Sequence, residues 1–157
     1  MMVIYDEVLS DPDSYVREVL GGDFIDVQAG DQLFKGIQPR EVDEFSEFIR
    51  KRFGGVVAYN FVRRSPSGQE EPNFIHSDEM MGDITAVLYL NRQHPEDEGT
   101  ILYDDDGVQA MKAEMKYNRC VVFDSRIKHS RAVFDNFGDG DDARLVQVVF
   151  ISKHAGA

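Results

Sequence analysis

The chain predicts a mainly β domain, an antiparallel sandwich or barrel with two helices from its first third packed on one outer sheet face. Three observations predict this. From Val56 onward the apolar runs are short and separated by turn-forming residues, with no helical stretch between them. Before Val56, two segments repeat their apolar residues at helical spacing and need something to cover. The 157 residues, 42% of them hydrophobic and 11% aromatic, make one domain of ordinary size, large enough for a real core.

Taken in order, Val3 to Val8 reads as a short strand. Ser10-Asp11-Pro12-Asp13 is a helix start, a capping side chain followed by a proline whose missing N–H does no harm there. The helix from Pro12 to Leu20 sets Tyr15, Val16, Val19 and Leu20 on one side and stops at Gly21-Gly22. Residues 23–38 show no strong period, with Phe24 to Val27 a candidate strand. Pro39 reads as the opening of a second helix: Val42, Phe45, Phe48, Ile49 and Phe53 recur at helical spacing, Arg50-Lys51-Arg52 fill the last turn and Gly54-Gly55 ends it. Strands follow at Val56 to Arg63, Phe74 to Asp78, Ile84 to Leu90, Thr100 to Tyr103, Val108 to Lys112, Cys120 to Phe123, His129 to Phe134 and Ala143 to Ile151. The first two are expected to pair as a hairpin with a long loop. Residues 1–157 form a single domain, with 1–55 as supporting strand and helices and 56–151 as the β core.

The formal net charge of -12 argues against nucleic acid or an anionic membrane as partner, because both repel such a surface at long range. The single cysteine, Cys120, excludes an intrachain disulfide and reads as a small core residue in a reducing compartment. Met1 to Glu7 lacks the basic and apolar regions of a secretory signal, and no window has the length of a membrane span, so the expectation is a soluble, cytoplasmic protein.

The chemistry centres on Asn73-Phe74-Ile75-His76-Ser77-Asp78. In an extended chain the period of two puts His76 and Asp78 on one face, an imidazole beside a carboxylate. Two neighbours on one strand cover only part of a metal's coordination sphere, so a third ligand must come from elsewhere. His129, following the apolar strand at Cys120, is the best candidate. Two imidazoles and one carboxylate on a single face leave the other coordination positions of an octahedral metal open, the pattern of non-heme iron(II) oxygenases.

With a distal His129 and a basic residue further on, Arg144, the ordered set resembles the iron(II) and 2-oxoglutarate dependent dioxygenase superfamily. Val87-Leu88-Tyr89-Leu90-Asn91, Glu98-Gly99-Thr100-Ile101-Leu102-Tyr103 and Val122-Phe123-Asp124-Ser125 are similar to its prolyl-4-hydroxylase-like branch, including small phage and bacterial members. The likeness covers roughly residues 56–151. It implies a double-stranded β-helix (jelly roll, cupin-like), iron(II) on His76, Asp78 and His129, and 2-oxoglutarate and dioxygen as co-substrates, with ascorbate as an accessory reductant. It also implies hydroxylation of a peptidyl residue such as proline, or of a small amino-acid-like molecule, with release of succinate and carbon dioxide. Family halogenases replace the carboxylate ligand with a small residue, so Asp78 favours hydroxylation.

The distal carboxylate of 2-oxoglutarate asks for a fixed cation. Arg144, at the start of the last strand, is the expected anchor, with Arg131 its rival because it shares the strand face of His129. Family members often carry a serine two positions after the arginine; here that position is Val146, so a second polar contact is expected from Tyr59 or Tyr103. Two other classes stay open: a non-oxidative cupin-like metalloenzyme using the same three ligands, and a jelly-roll binding module without turnover. The partner is expected to be a peptide or small molecule, acting on a monomer or homodimer.

Other residues read more plainly. His94 and His154 are expected in solvent. Asp104-Asp105-Asp106-Gly107 and Asp139-Gly140-Asp141-Asp142 lack the full twelve-residue calcium pattern and read as turns. Arg63-Arg64 forms a solvated strand end or an anion contact, and Met80-Met81 a pliable substrate wall or core filling.

Overall fold

The computed structural model describes residues 2–70, 75–133 and 135–153. Strand β1 (Met2–Tyr5) leads into helix α1 (Pro12–Leu20), where the side chain of Asp11 accepts a hydrogen bond from the Ser14 N–H. A hairpin follows, β2 (Ile25–Ala29) and β3 (Gln32–Pro39), in the stretch that shows no sequence period. Its turn uses Gly30, whose φ of 61° suits a residue without Cβ. The second helix, α2, is Glu44–Phe53 and not a helix from Pro39. Pro39 ends β3, Val42 is left 74% exposed, and Asp43 starts the helix through a reciprocal capping box with Ser46.

The remaining strands are β4 (Val56–Ser65), β5 (Ile84–Tyr89), β6 (Gly99–Tyr103), β7 (Gln109–Glu114), β8 (Cys120–Asp124), β9 (His129–Arg131) and β10 (Arg144–Ser152). Seven strands form one antiparallel sheet in the order β1-β8-β5-β10-β4-β3-β2, and β7-β6-β9 form a second. The expected pairing of β4 with the His76 segment does not occur. β4 is taken on both edges, by β10 and by β3, and the His76 segment bridges His129 of the second sheet instead. Of the two readings that fall partly on 71–74 and 134, the extended start at Phe74 and the strand end at Phe134 lie outside the described residues, as does His154.

Alternation along the seven-stranded sheet, interrupted by a bulge in β4 between Tyr59 and Val57, gives the molecule two cores. One face, with Val62, Ala86, Leu88, Cys120, Val122, Leu145, Val149 and Ile151, packs on Val19 of α1 and on Phe45 and Ile49 of α2. The other, with Tyr89, Val121, Phe123 and Val146, meets Leu102 and Ala113 of the second sheet and fills the space between the two sheets. Cys120 belongs to the helix-side core, where burial pushes its thiol pKa up.

Register fixes how the inward face is laid out. One row across the sheet runs Phe123, Thr85, Phe150, Tyr59; the next Val121, Val87, Val148, Phe61; the next Tyr89, Val146, Arg63; and beyond it Arg144 faces Ser65. Among the described residues no helix is long and apolar enough to cross a membrane.

Candidate metal centre

His76 and His129 are fifty-three residues apart in the chain and are joined by reciprocal backbone hydrogen bonds, His76 N–H to His129 O at 3.1 Å and His129 N–H to His76 O at 2.8 Å. The backbone of Asp78 is fixed separately, its N–H donating to Ser125 O at 2.9 Å. Ser125 also meets Thr85 of the inward sheet face, hydroxyl to hydroxyl at 2.8 Å. The three side chains therefore reach one point from two segments held by main-chain bonds.

Asp78 is the centre of the group. Its Oδ2 lies 2.8 Å from His129 Nε2 and its Oδ1 3.5 Å from His76 Nε2, and the three ligand atoms all fall within 4.8 Å of one another. The imidazoles lean together, ring centres 4.4 Å apart, and His129 packs on Phe123 at 4.8 Å. His129 Nδ1 sits 3.0 Å from Ile127 O, a carbonyl that only an N–H can satisfy. In the neutral ring that contact puts the unprotonated Nε2 against a carboxylate oxygen, the orientation in which a metal ion between them would be held by both. The three residues could hold a divalent metal, and two nitrogens with one carboxylate oxygen suit iron(II) among the common ions.

Arg144 is buried on the same inward face, its side chain 9% exposed. Asn91 clamps its backbone from both sides, donating to Ala143 O at 2.9 Å and accepting from Leu145 N–H at 2.8 Å. Tyr89, in the adjoining row, is 1% exposed and close enough for the charge of Arg144 to act on its hydroxyl, whose pKa burial pushes up to about 12. That hydroxyl meets Thr100 Oγ1 at 2.6 Å. Glu98, fully buried, stands 3.8 Å from Arg144 Nε and 3.1 Å from the Arg131 guanidinium.

The two tyrosines expected beside the anchor are elsewhere. Tyr59 stands three rows from Arg144, level with the metal ligands, 49% exposed and edge-on to Phe150. Tyr103 shares its sheet face with Ile101 and Ser130, opposite to the face of His129, and its hydroxyl meets Ser130 Oγ at 2.8 Å. Alternation excludes it from the interior. Tyr89, Glu98 and Asn91 were not singled out from the sequence for any role. The first was legible in principle, because two-residue steps from Thr85 through Val87 reach it on the inward face.

Lesser expectations resolve as follows. Arg64 stacks over Phe24 and Arg63 over Phe34, so this pair braces the hairpin rather than a solvated edge. His94 is partly buried, Nδ1 2.9 Å from Pro95 O, and not in open solvent. Met80 is 96% exposed and fills no core. Asp104 closes its turn on the N–H groups of Asp106 and Val108.

Neither a family model nor a curated protein sequence matches the chain. Solved structures do. A 2OG-Fe(II) oxygenase family oxidoreductase from Burkholderia pseudomallei matches with a TM-score of 0.67 at 16% identity, over 99% of this chain and 87% of that one. A prolyl hydroxylase from Trichoplax adhaerens, in complex with a hypoxia inducible factor oxygen degradation domain peptide, matches with a TM-score of 0.69 at 14% identity, over 97% and 83%. An epimerase of nogalamycin biosynthesis, solved with Fe3+, alpha-ketoglutarate and nogalamycin RO, gives 0.61 at 13% identity, over 96% and 78%. The fold is thus that of the 2-oxoglutarate oxygenases, the double-stranded β-helix.

Proposed function

We propose that this protein is an Fe(II)- and 2-oxoglutarate-dependent oxygenase, a hydroxylase of a peptidyl residue such as proline or of a small amino-acid-like substrate. The observation that carries the reading is the convergence of His76, Asp78 and His129 on one inward point of this fold, with Arg144 buried further along the same face.

Each residue then has work to do. His76 and His129 offer neutral nitrogens, and Asp78 supplies the negative charge that lowers the cost of holding a dication. Ile127 O keeps the His129 ring turned so that Nε2 faces inward. Arg144 grips the distal carboxylate of 2-oxoglutarate in a site that Val146, Val148 and Val87 keep apolar, so the charge-assisted bonds form with little competing water. Tyr89 takes the place expected for Tyr59 or Tyr103 as the polar neighbour of the anchor. Tyr59 and Phe61, at the metal end, border the substrate. When bound, iron(II) with 2-oxoglutarate and dioxygen supplies the oxidising chemistry, giving succinate, carbon dioxide and a hydroxylated product. An intact carboxylate ligand supports hydroxylation over halogenation, and a fold neighbour solved with a peptide supports a peptide substrate.

The test is anaerobic addition of Fe(II) and 2-oxoglutarate, read by the visible charge-transfer band of the chelate, followed by air and a succinate assay. A band and slow succinate formation without added substrate are expected. Bound metal with no band assigns the site to cupin-like non-oxidative chemistry and refutes the oxygenase reading.

A further inference from the structure

We infer that Thr85 and Ser125 are positioning residues for the carboxylate ligand: their buried hydroxyl contact holds the turn between β8 and β9 against the large sheet, and through that turn the Ser125 carbonyl aims Asp78 at the two imidazoles. This rests on Asp78 serving as a metal ligand. Neither Thr85 nor Ser125 touches the metal.

The two imidazoles are tied to each other by their own main-chain bridge, and Asp78 stands outside it. Among the described residues its carboxylate has no polar contact besides the two rings, so the main chain sets its direction. The N–H of Asp78 donates to Ser125 O at 2.9 Å and its carbonyl accepts from Met81 N–H at 2.8 Å, which fixes the peptide groups on both sides of its Cα. Ser125 gives its other polar groups to the same segment: its N–H donates to Asp83 O at 3.0 Å, and its hydroxyl meets Thr85 Oγ1 at 2.8 Å. Asp83 is held from its other side, its N–H donating to Ile151 O at 2.7 Å at the end of β10. The turn that carries Ser125 also supplies the Ile127 carbonyl, 3.0 Å from His129 Nδ1. One short turn therefore orients a ligand from each half of the site.

Thr85 is the rigid end of the hydroxyl contact. It lies in β5 between β8 and β10, opposite Phe123 and Phe150, and is 2% exposed, while Ser125 is fully buried. At that depth water does not readily replace a lost partner, so removing one hydroxyl leaves the other unsatisfied and the turn shifts to relieve it. Because the Ser125 carbonyl holds the Asp78 N–H, that shift carries Asp78 with it, while the bridge between His76 and His129 stays closed. A ligand set keeps its function only within about 0.5 Å of its working geometry, so a small displacement of one member is felt in metal binding.

The experiment measures three quantities in wild type and four variants: Fe(II) affinity by anaerobic calorimetry, the visible absorption of Co(II) bound in its place, and hydrogen exchange at the Asp78 amide of the metal-free protein. Thr85→Val keeps the shape and loses the hydroxyl. It is expected to weaken Fe(II) by about tenfold or more, to change the Co(II) spectrum and to speed exchange at Asp78. Thr85→Ser keeps the hydroxyl and is expected to match wild type in all three. Ser125→Ala is expected to follow Thr85→Val, and it carries the test should Thr85→Val fail to fold. Gln147→Leu, which removes hydrogen bonds on the opposite face of β10, controls for lost stability: it is expected to melt lower with Fe(II) affinity and Co(II) spectrum unchanged. Wild-type affinity and spectrum in Thr85→Val or Ser125→Ala overturn the inference, as does an equal loss in Thr85→Ser or in folded Gln147→Leu. Wild type that binds neither metal overturns the proposed function, and this inference with it.

Discussion

Replacing Gln147 by leucine tests whether the two faces of β10 are independent. Gln147 is fully buried on the helix side and joins both helices to the sheet. Its Oε1 accepts from Tyr15 OH of α1 at 2.7 Å, and its Nε2 donates to Asp43 Oδ2, the cap of α2, at 2.9 Å and to Asn60 Oδ1 of β4 at 2.8 Å. Leucine keeps the volume and removes all three. A net hydrogen bond contributes about 1 kcal/mol and one to a charged group about 1.5–3, so the gross loss is roughly 3–5 kcal/mol. Tyr15 retains Asp43 at 3.1 Å and leucine adds apolar contact, which brings the expected destabilisation to about 3 kcal/mol. For a chain of this size that is a fall of roughly 6–12 °C in melting temperature, measured by circular dichroism and by urea titration. Below the melt, Fe(II) binding should match wild type, because Val146 and Val148 on either side face the other core. A loss under about 1 kcal/mol, or iron binding weakened in the folded variant, refutes the reasoning.

Other outcomes follow from the same geometry. Fe(II) at a hundred times its dissociation constant should stabilise the wild type by about 2.7 kcal/mol, a rise of several degrees in anaerobic thermal shift; Asp78→Ala and His129→Ala should show none. Arg144→Ala should keep iron and lose the 2-oxoglutarate band, whereas Tyr59→Ala should keep both and change only turnover of the true substrate, read as KM for that substrate. At the surface, the Arg126 guanidinium 2.7 Å from Asp124 holds that carboxyl's pKa down at about 2. A depressed carboxylate stabilises the fold above its unfolded pKa of 3.8 and loses that contribution as pH falls towards about 2. Arg126→Ala should therefore raise the Asp124 pKa in an NMR titration and reduce the acid sensitivity of stability between those values, by under about 1 kcal/mol because the pair is solvated.

The strands from β5 to β10 were legible because their apolar residues come in short runs and the turns between them carry Gly and Asp. So were both helix cores, through residues such as Val19, Phe45 and Ile49. The β2–β3 hairpin was legible only in part: Phe24 to Val27 reads as a candidate strand, but every residue of β2 is exposed, β3 shows no strong period, and the hairpin is held by the pairing of β3 with β4. Pro39 and Val42 misled in the same place, a proline that ends a strand beside a valine that faces water. At the site, residue type and order brought His76, Asp78, His129 and Arg144 into view, since few side chains can serve a metal or a carboxylate. The supporting residues depend on which strands are neighbours. Tyr59 and Tyr103 were reasonable by type, but the β4–β10 register puts one at the metal end, and alternation in β6 turns the other outward.

The main-chain bridge between His76 and His129 makes metal capture a clock for assembly. Its two halves are distant in sequence, and the His76 segment is added to the edge of β9 only when that long-range bridge forms, so a refolding chain has no nascent local site with both imidazoles to load. Iron uptake should consequently trail the recovery of helical signal, with a rate set by formation of that bridge rather than by metal concentration. A cell short of iron would then accumulate a finished, empty scaffold, not an unfolded chain.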